Sequence, residues 1–395
     1  MMSQLTEKPT ATATLQSQQL PHQADLVIQG FRRLIAEYDL SGSAGNTTDL
    51  SLDHPLRSKE DILAELGSSL LPLLKQQITS LSQALDNPDQ LRQDLGPTLQ
   101  LILELQPKLA QTLYRIIRAI DHLVPPEGPE SSPTIDQDMK ELKHYRLRRL
   151  DTSIRVHLRA EIRHFFLASC RIIEAIKLPT QQRSTPIGYL LFGISDPIDR
   201  AVRWIEASEF LLLQNWWLRA LGDIEDAVED LLGVANPTNR QTRGPLPQLA
   251  RSSIPLLKLI RLFFNKFFDL GLAKEELVKS YTDMSTEQLL SFEKFAQDIA
   301  EAILGLVCGL QEEEDEVVDQ AQISLDFIHR VKSLSPLFQS LLLLSNLYII
   351  PLFPDSDLSP SQISFKPWLV TWYTLFFQAT NNAIKTANLL SQDLD

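Results

Sequence analysis

The chain has little besides apolar packing to hold it together. Cysteine is nearly absent: Cys170 and Cys308 are the only two in 395 residues, each inside an apolar run. That excludes a disulfide framework and predicts two buried thiols in a reducing compartment. Glycine numbers 14, and valine numbers 12 against 70 leucines. So strong an excess of leucine over β-branched residues excludes a sheet-rich fold, because leucine loses little rotamer freedom in a helix and valine loses more. No alternating apolar–polar pattern runs beyond a few residues. Cations are also in deficit, 37 Lys and Arg against 50 Asp and Glu, for a net charge of −13. A field of that sign repels phosphate backbones and disfavours general nucleic-acid binding. The sequence contains no GxGxxG, Walker A, HExxH, GxSxG or CxxC motif.

What is present is helical periodicity. Residues 1–21, rich in Thr, Gln and Ser, are expected to form a disordered tail that is neither a secretory signal nor a transit peptide. A first helix is expected over Ala24–Tyr38. Ser58-Lys-Glu-Asp61 predicts a cap opening a second, with Leu66, Leu70, Leu74, Ile78, Leu81 and Leu85 as its stripe. A third is predicted from Asp89 to His122 and a long fourth from Ile135 to Leu178. Asp196-Pro197 predicts the start of a fifth, running to Val234. A sixth is expected over Leu246–Tyr281. Ser285-Thr-Glu-Gln288 is a capping box for a seventh, expected to break near Gly305 or Gly309 and to end near Ser333. Two apolar helices close the chain on either side of 354–360. The fold expected is all-α: eight or nine long helices in one or two antiparallel bundles, divided as 22–180 and 181–395 or packed as one unit.

The stretches 333–354 and 367–384 carry no charge. Their prolines and their Ser, Thr, Asn and Gln content favour core helices over a membrane hairpin, and a continuous apolar face there would point to a membrane or an oligomer.

Candidate chemistry is sparse. His157, Glu161 and His164 share one helical face at a spacing that can hold a metal, and Asp326 with His329 is a looser copy. Arg155, Arg159 and Arg163 crowd the first group and oppose a cation. Asp223, Asp226, Glu229 and Asp230 loosely match the aspartate-rich helix with which all-α isoprenoid synthases hold magnesium and pyrophosphate, and 312–316 is a second acidic run. No strict DDxxD exists, so a solvated helix face is the simpler reading. Trp204, Phe210, Trp216, Trp217, Phe263, Phe264, Phe267 and Phe268 either line a cavity or form ordinary core. The basic stretch Lys140–Arg171 is expected to pack beside the acidic helices around Asp226 and Glu314, or to dock an acidic partner.

The helix succession resembles the cyclin-D-binding (GCIP-like) family of helical-bundle proteins, especially its divergent fungal members. The likeness is carried by Leu70-Leu-Pro-Leu-Leu-Lys-Gln-Gln-Ile78, the leucine-rich helix Leu99–Ile120, and Leu256-Leu-Lys-Leu-Ile-Arg-Leu-Phe-Phe264. It implies a non-enzymatic protein of nucleus and cytoplasm that binds a cyclin-like or helical partner, and it carries over no catalytic, cofactor or metal residue. Three functions are thus in view: an adaptor or regulator; an all-α enzyme or ligand carrier using 223–230; and a membrane-associated protein using 333–384.

Overall fold

A computed structural model describes residues 11–40, 57–86, 94–124, 136–177, 188–236, 246–272, 281–312, 320–352 and 365–392. Among the described residues the protein is all-α, with no strand. Ten helices are numbered here in chain order. In the first half they are α1 (Ala11–Leu40), α2 (59–85), α3 (Leu95–Leu123), α4 (144–177) and α5 (Gly188–Glu206). In the second half they are α6 (Glu209–Ala235), α7 (Leu246–Leu272), α8 (Thr286–Glu312), α9 (320–349) and α10 (Phe365–Gln392). A 3₁₀ segment, Gln137–Leu142, precedes α4. Helices α2, α4 and α9 each contain one wider π-helical turn, at Leu66–Leu70, Ser153–Leu158 and Ser345–Ile349.

The chain forms two compact units that divide at 206/207, beyond the expected 180/181. The second unit also takes in an earlier stretch, of which residues 136–145 are described. Each unit is a closed ring of five helices.

In unit 1 the principal packing order is α1–α3–α2–α5–α4 and back to α1. Directions follow from named contacts. Glu65, early in α2, pairs with Arg115, late in α3, so these run antiparallel. So do α1 and α4, through Arg32–Glu174 and Asp25–Lys177. Alternation cannot close around an odd ring, so one neighbouring pair must run parallel. Here it is α1 and α3, where Gln106 Nε2 donates to the Val27 carbonyl at 2.8 Å. Gly30 makes room for that amide: a Cβ there would lie 2.6 Å from Gln106 Cδ.

In unit 2 the order is α6–α7–α10–α9–α8 and back to α6. Gln214 of α6 reaches the Phe268 carbonyl late in α7, and Arg251 early in α7 reaches the Ala235 carbonyl at the end of α6, so this pair is antiparallel. Gln288 early in α8 meets Tyr348 late in α9. The parallel pair is α6 and α8. The core is aromatic: Trp217 stacks on Phe292 with centroids 4.9 Å apart, Phe263 meets Trp372 at 4.7 Å, and Phe338 meets Phe376 at 4.8 Å.

Both predicted capping boxes form. Asp61 N donates to Ser58 Oγ and Ser58 N to Asp61 Oδ2; Ser285 N donates to Gln288 Oε1 and Gln288 N to Ser285 Oγ. Several boundaries differ from expectation. Helix α1 starts at Ala11, ahead of Ala24, and residues 1–10 of the expected tail lie outside the described residues. The predicted Ile135–Leu178 helix begins only at His144, because Lys140 takes a left-handed backbone (φ 43°) and Lys143 an extended one. Pro197 lies inside α5 instead of opening it. The helix expected to continue to Val234 stops at Glu206, and Ser208, whose Oγ accepts from Leu211 N, caps a new one. Helix α8 does not break at Gly305 or Gly309; the Arg330 guanidinium lies over both. Helix α9 runs through the expected stop at Ser333 and through Pro336.

Candidate functional site

The densest buried chemistry lies in unit 2, where its parallel pair brings two helix N-termini together. Like ends of two helix dipoles repel, and each end leaves backbone N–H groups without partners. Two carboxylates place negative charge at these ends, and the first of them also accepts from the free N–H groups. Asp136, only 6% exposed, accepts from Thr286 N at 2.8 Å, from the Thr286 hydroxyl, and from His144 N at 2.9 Å. It thus caps α8 and α4 together. Thr286 Oγ1 in turn accepts from Tyr145 N at 2.8 Å. Glu209, in the first turn of α6, accepts from Thr282 N at 2.9 Å and from the Thr282 hydroxyl. Lys143 closes the group: its ammonium lies 2.9 Å from Glu209 Oε1 and donates to the Thr282 carbonyl. Every charged group in this cluster is engaged with a helix end or with another member, so its chemistry is that of a structural clasp. In unit 1, buried Arg146 donates to the Trp204 carbonyl at 3.0 Å, placing a cation at the negative end of α5.

The candidates named from sequence fall outside this clasp, save for Lys143 in the basic stretch. His157 and His164 are exposed and Glu161 is half-buried against Gly193. Among the described residues no group of three or more His, Cys, Asp or Glu is placed to hold a metal, and Asp326 with His329 belongs to none. Glu225, Asp226, Glu229 and Asp230 are exposed and Asp223 is half-buried, while Ile224, Ala227, Val228 and Leu231 between them are buried, so this is an ordinary amphipathic helix with its carboxylates in water. The run 313–316 lies outside the described residues. Phe210, Trp217, Phe263, Phe264 and Phe267 are core of unit 2 and Trp204 is core of unit 1. Trp216 and Phe268 are half-buried, and a shallow apolar crevice lies beside Trp217, Leu221 and Phe268. The basic stretch divides: Lys143 pairs with Glu209 on the helix that carries Asp226, Glu314 lies outside the described residues, and from Arg146 onward α4 lies on α1 and α5, with Arg155 paired to Asp121 and Asp151.

Cys170 is buried as predicted, and burial followed by the nearby Glu174 carboxylate pushes its thiol up to about 11. Cys308, expected to be buried, is exposed.

The surface offers the other candidate. Along α9 the exposed residues Pro336, Gln339, Ser340, Leu343, Asn346 and Leu347 carry no charge. The neighbouring α10 matches this with Val370, Thr371, Thr374, Leu375, Phe377, Gln378, Asn381 and Asn382. The two meet where Gln339 Nε2 donates to the Tyr373 hydroxyl at 3.4 Å. Among the described residues no helix is long and apolar enough to cross a membrane.

Residues 59–206 match the family model of a domain of unknown function (DUF8723). Residues 208–385 match that of another (DUF8721). The two matches meet at the break between α5 and α6, where the compact units also divide, although the described residues 136–145 fall in the first match and pack in the second unit. No curated protein and no solved structure matches the chain.

Proposed function

We propose that this chain is a non-enzymatic helical-bundle protein that acts by binding another polypeptide through an outer helix face, as an adaptor or regulator. The observation that carries the reading is the charge-free face of α9 and α10. In a chain with 22% charged residues and a net charge of −13, two adjacent helices expose Leu343, Leu347, Val370, Leu375 and Phe377 with no ionic residue among them. Depletion of charge around aromatic and aliphatic side chains marks the centre of protein interfaces, and contiguous exposed apolar patches mark contact sites. The face runs along two neighbouring helices and so suits a helical partner laid in the groove between them. The resemblance to cyclin-D-binding proteins implies a partner of cyclin-like or helical kind. A chain with two unpaired cysteines fits a reducing compartment, cytoplasm or nucleus.

The enzyme reading is weaker, because Glu225, Asp226, Glu229 and Asp230 of α6 point into water over a filled core. The test is a photo-crosslinking amino acid placed at Val370 in the full chain in its native cell, with the same probe at Glu225 as control. A discrete protein adduct at Val370, absent at Glu225, supports the reading. Equal labelling at both positions, or adducts to lipid alone, overturns it.

A further inference from the structure

We propose that the face shared by α9 and α10 is a self-association surface whose occupant is a second copy of this chain; this rests on the interaction reading above and names the partner.

The first argument is electrostatic. Two copies each carrying −13 repel, and a contact made through the acidic face of α6 at Glu225, Asp226, Glu229 and Asp230 would set like charges against one another. Over 333–351 and 367–384 there is no Asp, Glu, Lys or Arg, so two copies can meet there without burying like charges. A charged partner would have to shed water from its ions against a face whose centre offers no counter-ion, the exposed Lys332 and Lys385 standing only at one end of it, and that costs several kcal/mol per ion.

The second argument is symmetry. A two-fold interface sets residues near its axis against their own copies. A carboxylate or ammonium cannot pair with itself, whereas an amide can, since it both donates and accepts. The polar members of this face are of the self-pairing kind: Gln339, Ser340, Asn346, Gln378, Asn381 and Asn382. Those same groups disfavour a bilayer as the occupant, where they would find no partner.

The third argument is shape and extent. Helices α9 and α10 run antiparallel with Gln339 level with Tyr373. That register sets Leu343 level with Val370 and Pro336 level with Phe377, so apolar groups flank a polar centre. A stretch of 18 residues at about 1.5 Å each is roughly 27 Å long, and two helices some 9 Å apart give roughly 500 Å² of footprint. Two copies together would bury roughly 1,000 Å², which is the lower bound for a specific interface and suits association in the micromolar range.

The test is sedimentation of the purified full chain over a range of micromolar concentrations. The expected species has twice the 44.8 kDa of the monomer. Raising salt leaves it intact or tightens it, since the face holds no attraction to screen. Phe377→Glu and Thr374→Arg each weaken association at least about 30-fold, because each sets a charge against its own copy across the interface. Phe192→Glu, at an exposed site in unit 1, leaves it unchanged. Thr374 is exposed, so its variant decides the matter if Phe377→Glu fails to fold. A monomer at every concentration overturns the proposal, as does a dimer indifferent to both variants. If the chain is monomeric but the Val370 probe still captures a different protein, the dimer fails and the interaction reading stands. Flotation with vesicles through this face overturns both.

Discussion

Lys143 and Glu209 face each other at 2.9 Å with both side chains wholly out of solvent. The pair joins the stretch before α4 to the first turn of α6, and the Thr282 carbonyl accepts a further hydrogen bond from the lysine ammonium. Removing one member leaves a buried charge alone, whereas removing both charges does not. Lys143→Met is expected to lower the stability of unit 2 by about 3–5 kcal/mol. Lys143→Met with Glu209→Gln is expected to lose markedly less, since the glutamine still accepts from Thr282 without a charge. Denaturant unfolding read through the buried Trp217 and Trp372 measures both. A double variant as unstable as the single one would sink the account.

Asp136 serves two helices at once, and its removal is felt locally before it is felt globally. Asp136→Ala frees the N–H groups of Thr286 and His144 and takes a negative charge from beside two helix N-termini. The expected loss is about 2–4 kcal/mol, the sum of two caps at roughly 1–2 kcal/mol each. Hydrogen exchange at the Thr286 amide is expected to accelerate in this variant while amides in the middle of α1 and α3 keep their protection. Uniform acceleration across the chain would instead mean that Asp136 has no local role.

How much of this was legible in the sequence depends on the range of the signal. The stripes were plain: Leu66, Leu70, Leu74 and Ile78 are all buried as read. Their spacing held a further clue. Steps of four advance about 40° each around an α-helix, so three of them drift by roughly 120°, beyond a single apolar stripe of roughly 100°. The π turn at Leu66–Leu70 takes up that drift, and the same run of fours at Leu150, Ile154, Leu158 and Ile162 contains the π turn at Ser153–Leu158. Both capping boxes were legible because each is a contact of three residues' range. The clasp was not, because Asp136 meets Thr286, and Lys143 meets Glu209, only after the ring has closed. Lys143 read as one more cation in a basic run, although the Ser208 cap that ends the preceding helix was present as a local signal. Cys308 read as buried because its neighbours are apolar, but it stands on the outer side of α8.

Two glycines in helix interiors should respond to alanine with opposite signs. Alanine normally gains about 1 kcal/mol over glycine in a helix by reducing the freedom of the unfolded chain. Gly222 has nothing within 4 Å of the added methyl, so Gly222→Ala is expected to stabilise by about 0.5–1 kcal/mol. At Gly30 the methyl would stand 2.6 Å from Gln106 Cδ, in the contact that joins the parallel pair α1 and α3. Gly30→Ala is therefore expected to destabilise by about 1–3 kcal/mol, and Gln106→Ala in the same chain to recover part of it. Thermal unfolding of the three variants reads the signs directly. A stabilising Gly30→Ala would mean that the Gln106 amide swings clear of the methyl and that its bond to the Val27 carbonyl does not hold it.

The two cysteines should separate by reactivity and by pH. At pH 8 a thiol reagent is expected to modify one group quickly, Cys308, and to reach Cys170 only on unfolding. Cys170 in the folded chain holds its proton up to about 11, whereas an unfolded cysteine releases it near 8.5. Above the unfolded value the native state binds the extra proton, so stability falls as pH rises. The contribution is complete below about pH 8.5 and drains away by about pH 11, at up to roughly 1.4 kcal/mol per pH unit. Tyr38 adds a second loss of the same sign, because burial pushes its phenol up from 10 and the loss begins only there. Cys170→Ala is expected to flatten the first part of this alkaline decline, between about pH 8.5 and 10, and to leave the later part in place. Denaturation midpoints of unit 1 measured across that range in both proteins test the assignment, and identical pH profiles would refute it.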